Sequence, residues 1–152
     1  MGFFCCIAVE RFNCYNEFMN TLNDFTERKQ IISNVHYTFV FCPRYRRKIF
    51  NDDKVVNAFK TMVRGICQSL DVGCLSIRCE SDFTVIRVRA ISTISPHNIV
   101  TKIKGGTSAS IRDDFPDLSH LTSLWTRNYL VSTEEVTDEM IDTYVSQQKT
   151  RN

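Results

Sequence analysis

Cys74-Leu75-Ser76-Ile77-Arg78-Cys79-Glu80-Ser81-Asp82-Phe83-Thr84-Val85-Ile86-Arg87-Val88-Arg89-Ala90 spells two β-strands and the turn between them. Residues 74–80 alternate, with Leu75, Ile77 and Cys79 expected on one side. Ser81-Asp82 makes a tight turn, and Phe83 to Ala90 is rich in the β-branched residues that suit a strand. Strands joined by so short a connection run antiparallel. The apolar side of such a hairpin must be covered, so the flanking segments are expected to supply the cover.

Upstream, His36 to Cys42 is a further strand built of Tyr37, Thr38, Phe39, Val40 and Phe41, and Pro43 ends it. Asn51 or Asp52 then caps a helix whose Val55, Val56, Phe59, Met62, Val63, Ile66, Cys67 and Leu70 recur at helical spacing, with Gly73 marking its end. Downstream, Ser95-Pro96 opens a helix with Ile99, Val100 and Ile103 as its apolar stripe. Gly105-Gly106 is expected to interrupt or bend it before Ile111 and Phe115 resume the stripe. Asn128 to Thr133 is a fourth strand. Val136 to Gln148 is a last helix, with Thr137 or Asp138 near its start and Met140, Ile141, Tyr144 and Val145 on its inner face. The order predicts an α+β fold, an antiparallel sheet packed on helices. Ahead of it, Phe12, Tyr15, Met19, Leu22 and Phe25 mark an amphipathic helix over residues 10–26.

The 152 residues suit one domain, divided here into an extension over 1–30 and a domain over 31–152. Nineteen basic residues face seventeen acidic ones, so nucleic-acid binding has to come from local clustering. Seven cysteines, an odd number with no C-x-x-C pair, speak against a disulfide framework and a structural zinc site. They read as reduced thiols of a cytoplasmic protein. Met1-Gly2-Phe3-Phe4-Cys5-Cys6-Ile7-Ala8-Val9 lacks the basic start of a signal peptide, and Cys6 stands where myristoylation wants Ser or Thr. It also falls short of the about twenty apolar residues of a membrane span. His36, His97 and His120 are scattered and read as structural or surface residues.

Four stretches, in order, carry a family resemblance. Phe39-Val40-Phe41-Cys42-Pro43-Arg44-Tyr45-Arg46-Arg47-Lys48 is similar to an opening strand followed by Pro-Lys-Tyr-Arg-Arg-Lys. Ile103-Lys104-Gly105-Gly106-Thr107-Ser108 resembles a Leu-Lys-Gly-Arg-Ser-Ser helix element. Leu124-Trp125-Thr126-Arg127-Asn128-Tyr129-Leu130-Val131-Ser132-Thr133 is the third, and Tyr144-Val145-Ser146-Gln147-Gln148 resembles Tyr-Ile-Glu-Asn-Gln. Together, from about His36 to Gln148, they resemble the single-tyrosine transposases of the insertion-sequence 200/605 type, within the HUH superfamily. The resemblance implies a ferredoxin-like sheet and a homodimer that recognises hairpins in single-stranded DNA. It also implies a helix tyrosine that attacks a phosphate polarised by a divalent ion, held by a His-hydrophobic-His pair and a Gln or Asn.

On that resemblance Tyr144 is the remnant nucleophile, and Gln148, one turn on, shares its helix face. A tyrosine hydroxyl needs activation before it can attack. The metal pair, however, falls on Phe83 and Val85. These share one strand face, as two ligands must, but have no lone pair to donate. No cofactor is therefore expected; Mg²⁺ or Mn²⁺ would enter only if Asp82, Glu80 or Cys79 supplied ligands. The link Thr133-Glu134-Glu135-Val136 has no glycine, which predicts a more fixed helix than the family's.

Arg87 and Arg89 follow on the Phe83 and Val85 face, either touching phosphate or forming an exposed face paired with acids such as Glu80. Arg44, Tyr45, Arg46, Arg47 and Lys48 are the clearest basic patch, for phosphate contact and base stacking, or a solvated charge run. Lys102, Lys104 and Arg112 add charge around Gly105-Gly106, where small residues either let amides approach phosphate or simply bend the helix. The expected function is binding of single-stranded or hairpin DNA by a cytoplasmic, nucleoid-associated homodimer with no membrane partner and impaired metal-dependent cleavage. The alternatives are an active transposase using Tyr144 with altered metal ligation and a dimeric protein-interaction module.

Overall fold

The computed structural model describes residues 26–28 and 31–150. The helix expected over residues 10–26 lies outside the described residues, except for Thr26. The chain divides into two compact units between Asn34 and Val35. In the first, β1 (Thr26–Arg28) and β2 (Ile31–Ser33) pair antiparallel, Thr26 opposite Ser33.

The second unit runs β3 (Val35–Phe41), α1 (Asp53–Ser69), β4 (Gly73–Glu80), β5 (Phe83–Ala90), α2 (Pro96–Asp114), α3 (Pro116–Ser119), β6 (Leu130–Ser132) and α4 (Asp138–Ser146). Of Asn51 and Asp52 it is Asp52 that caps α1, and Ser95 caps α2. The Asp52 carboxylate accepts from the Lys54 amide at 2.8 Å and the Ser95 hydroxyl from the Asn98 amide at 3.2 Å. The sheet order is β4-β5-β3-β6, and every neighbouring pair is antiparallel. Sandwiching the first strand between the third and the fourth in this way is the ferredoxin-like topology.

β5 decides what each sheet face meets. Thr84, Ile86, Val88 and Ala90 are buried toward α1 and α2 together with Phe39 and Phe41 of β3. Phe83, Val85, Arg87 and Arg89 take the opposite face by strand alternation. Leu75 is not with Ile77 and Cys79 as the alternation predicts. A β-bulge between Cys74 and Ser76 shifts the register, so Cys74 turns inward and Leu75 is 44% exposed.

The segment between α3 and β6 is anchored rather than loose. Trp125 makes a β-bridge to Pro43, and its ring lies 5.0 Å from Phe41, 5.4 Å from Phe59 and 6.0 Å from Phe50. The indole N–H donates to the Thr107 hydroxyl at 3.0 Å, satisfying the one polar atom of a buried ring. Thr107 in turn donates to the Ile103 carbonyl at 2.6 Å.

α2 runs unbroken through Gly105-Gly106, so these glycines neither interrupt it nor end it. Gly106 instead allows a close approach of α1: a Cβ there would lie 2.9 Å from Ile66 Cδ1, whereas a Cβ at Gly105 meets nothing within 4 Å. Glycine costs a helix interior about 0.5–1 kcal/mol relative to alanine. Gly105→Ala is therefore expected to raise unfolding stability by about that amount, and Gly106→Ala by distinctly less, because the Ile66 methyl must move. Equal gains in urea denaturation would contradict the close approach.

Candidate functional site

Helix α4 begins at a Thr137 cap, whose hydroxyl accepts from the Met140 amide at 3.3 Å. Asp138 and Glu139 then place negative charge in the first turn, where the helix dipole favours it. Ile141 and Val145, one turn apart, are buried against Val40 of β3 and Cys42 just after it. Phe83, Val85, Leu130, Val136 and Tyr144 complete this second, smaller apolar cluster on the sheet face opposite α1 and α2. Met140 is not part of the inner face as predicted; it is 45% exposed, one position off the Ile141–Val145 stripe. Both terminal Arg78 nitrogens donate to one Asp138 oxygen at 3.0 Å, tying the helix start to β4. That pair is exposed and contributes at most about 1 kcal/mol.

The apolar cluster sets the state of the tyrosine. Its hydroxyl is buried without a hydrogen-bond partner among the described residues. Burial, and then the neighbouring Cys42 thiol, push its pKa above the ordinary tyrosine value of 10. Burial also pushes the Cys42 thiol up to about 11, with Asp82 reinforcing and Arg46 opposing. Neither group is prepared as a nucleophile, because ionisation is disfavoured at both. The helix ends at Ser146, so Gln148 lies beyond the Gln147 cap rather than on the Tyr144 helix face as expected. Its side-chain amide folds back to donate to the Tyr144 carbonyl at 3.2 Å. The two strand positions beside Tyr144 carry only carbon. Among the described residues, no three His, Cys, Asp or Glu side chains gather at metal-ligand spacing.

The basic run forms a tight left-handed turn after β3, with positive φ at Tyr45 (61°) and Arg46 (52°). Non-glycine residues adopt that conformation at a cost, so the surroundings must hold it. Three contacts do so: the Arg44 amide donates to the Leu124 carbonyl at 2.8 Å, and the Thr126 amide to the Cys42 carbonyl at 3.0 Å. The third is the Arg46 guanidinium, 2.7 Å from the largely buried Asp82 carboxylate in the β4–β5 turn. Arg44 and Arg47 turn the other way, their guanidinium carbons 5.1 and 5.3 Å from the centre of the Tyr45 ring. With Tyr45 they line a cavity of about 520 Å³ shared with His120, Leu121, Thr122, Ser123 and Thr150. Lys48 is exposed.

The remaining cations lie apart. Arg87 and Arg89 continue the Phe83 and Val85 face opposite Thr38 and His36, outside the cluster under α4; Arg87 is exposed and Arg89 half-buried and engaged. Lys102 is exposed on α2. Lys104 is half-buried: its ammonium donates to the Arg127 and Asn128 carbonyls at 3.1 and 3.4 Å, beside the Phe41 and Tyr129 rings. Burial draws its pKa down to about 8. The Arg46–Asp82 pair and the approach of His120 and Thr122 to Arg44 were not foreseen. The latter residues lie more than seventy positions away, and the Pro43–Trp125 bridge, the Arg44–Leu124 bond and Arg112 bring them close.

A raised phenol pKa stabilises the fold below the ordinary value of 10, and that contribution is lost as pH rises beyond it, since the unfolded chain ionises first. In an absorbance titration of tyrosinate, one tyrosine is expected to ionise above the rest, and Tyr144→Phe should remove that late step. Tyr144→Phe is expected to change stability by less than about 1 kcal/mol, because no hydrogen bond is lost. A tyrosine titration with every group near 10 would contradict the sealed hydroxyl.

Residues 31–148 match the sequence profile of the family described as "Transposase IS200 like". The "Transposase for insertion sequence element IS200" of Salmonella typhimurium is 27% identical over 118 residues, 76% of this chain and 77% of that protein, and the Salmonella typhi protein of the same description matches equally. Among solved structures, a candidate transposase from Deinococcus radiodurans R1 superposes with a TM-score of 0.74 at 19% identity, covering 83% of this chain and 99% of that one. A REP-associated tyrosine transposase bound to a REP hairpin superposes with a TM-score of 0.53 at 9% identity, over 78% of this chain and 67% of that one. At those identities the two structures support the fold, while the profile match, which spans most of the sequence, decides membership: the chain belongs to the IS200-like transposase family.

Proposed function

We propose that this chain binds single-stranded or hairpin DNA as a homodimer and is impaired in metal-dependent cleavage and strand transfer. One observation carries the impairment: Phe83 and Val85, at the strand positions matching the family's histidine pair, pack with Ile141 and Val145 under α4. Mg²⁺ and Mn²⁺ need oxygen or nitrogen ligands in a near-octahedral shell, which these two side chains do not offer. Gln148 alone does not make such a shell, and its amide is already turned to its own helix. The residues thus do not fit the family's metal, and no cofactor is assigned. An active transposase with altered ligation would also need Tyr144 free to meet a phosphate, against its burial.

DNA binding is supported by family membership and by the basic turn. The hairpin preference follows the solved relative bound to a REP hairpin. Arg44, Arg47 and Lys48 are the first phosphate contacts, with Tyr45 between the two arginines. Arg46 acts by holding the turn through Asp82. Arg87, Arg89, Lys102 and Lys104 contribute field around them. A DNA partner places the protein at the nucleoid in the cytoplasm; no helix among the described residues is long and apolar enough to cross a membrane.

The test uses labelled hairpin DNA with Mg²⁺ or Mn²⁺. Salt-sensitive binding is expected, weakened about tenfold by the Arg44→Ala, Arg47→Ala double variant, with a shallower salt dependence. No covalent protein–DNA adduct is expected on a denaturing gel. An adduct that disappears with Tyr144→Phe would overturn the impairment, and salt-insensitive or absent binding would overturn the DNA partner.

A further inference from the structure

The cavity beside the basic turn has an unusual charge arrangement. Arg44 and Arg47 converge on one tyrosine ring, at 5.1 and 5.3 Å, and neither is paired with a carboxylate among the described residues. His120 adds a third nitrogen base to the lining, which includes no Asp or Glu. The Tyr45 ring and hydroxyl hold the two guanidinium groups together against their repulsion, which concentrates positive charge at the cavity wall. Arg46, between them in sequence, pairs instead with Asp82 and does not line the cavity.

Both walls are fixed. The Arg44–Arg47 wall is held by the left-handed turn, by the Arg46–Asp82 pair and by Arg47 donating to the Arg44 carbonyl at 3.3 Å. The opposite wall is held by Arg112, which donates to the Leu121 and Thr122 carbonyls at 3.0 and 3.4 Å and to the Ser108 carbonyl at 2.9 Å. The Ser123 hydroxyl is committed to the Trp125 carbonyl at 3.0 Å. The Thr122 hydroxyl accepts from Arg44 at 3.4 Å, which leaves its own hydrogen to donate.

We infer that Arg44, Arg47, His120 and Thr122 form a pocket for one phosphate group of the bound nucleic acid. Guanidinium forks match phosphate oxygens, and a hydroxyl donor completes the cradle. The ligand chemistry is shared by a backbone phosphodiester and a terminal phosphomonoester. The inference takes its ligand from the DNA-binding reading, while the pocket itself can be tested without DNA.

The experiment measures fluorescence anisotropy of the full chain with hairpin DNA bearing a 5′-hydroxyl or a 5′-phosphate. It compares the natural protein with His120→Ala and Thr122→Val, both at exposed positions that leave the core intact. A parallel amide NMR titration uses inorganic phosphate alone. Each variant is expected to weaken hairpin binding about five- to tenfold, the scale of one net hydrogen bond. Equal loss with both DNAs assigns a backbone phosphodiester. A 5′-phosphate that strengthens binding only in the natural protein assigns a terminal phosphomonoester. Affinities within twofold of natural for both variants overturn the pocket. If the natural protein binds no hairpin, the DNA reading fails and inorganic phosphate decides: saturable shifts at Thr122 and Arg44 that are lost in Thr122→Val sustain the pocket, and their absence overturns it.

Discussion

The two-residue period of β5 governs both sides of this molecule. Four residues of that strand, Thr84 to Ala90 by alternation, enter the main core under α1 and α2. The intervening Phe83 and Val85 are thereby delivered to the other face, beside the helix that carries Tyr144. A slip of one residue would exchange the two sets and leave the arginines in the core, so the register is strongly specified. The same geometry that would aim two ligands at one ion here aims two apolar side chains at Ile141 and Val145. Apolar area removed from water stabilises at about 25 cal/mol per Å², so the two apolar side chains favour a helix seated on the sheet.

Seating the helix has chemical consequences. A phenol in an apolar cluster loses the solvent and donors that would stabilise its anion, which is why burial leads the shift in its pKa. The link from Ser132 to Thr137 is short and free of glycine, and the Thr137 cap and the Arg78–Asp138 pair fix the entry of the helix. Attraction to nucleic acid is handled elsewhere, in the turn after β3. There one arginine serves structure through Asp82, and the other two are paired with no carboxylate among the described residues. The Trp125 anchor links this turn to the main core, because the strand-like pairing of residues 124–126 with 42–44 sets the opposite wall.

Much of this was legible before the structure. The hairpin, the caps at Asp52, Ser95 and Thr137, the order of strands and helices, and the face shared by Phe83 and Val85 all follow from local pattern, since period and capping are short-range properties. Leu75 was misplaced because a bulge is invisible to simple alternation. Gly105-Gly106 looked like a break because glycine is a poor helix former, yet the packing of α1 against Gly106 outweighs that preference. Met140 was misplaced by one helical position at the edge of the stripe. The basic run was visible as a cluster, but its division into one structural and two outward arginines depends on Asp82, on His120 and on positive φ angles that no spacing encodes.

Phe83 and Val85 seat the tyrosine helix on its own sheet. An isotope-filtered NOE experiment on a mixture of labelled and unlabelled chains tests this arrangement, because it separates contacts within a chain from contacts between chains. NOEs from the Tyr144 and Ile141 side chains to Phe83 and Val85 are expected within one chain. Their absence, or their appearance only between chains, would contradict it.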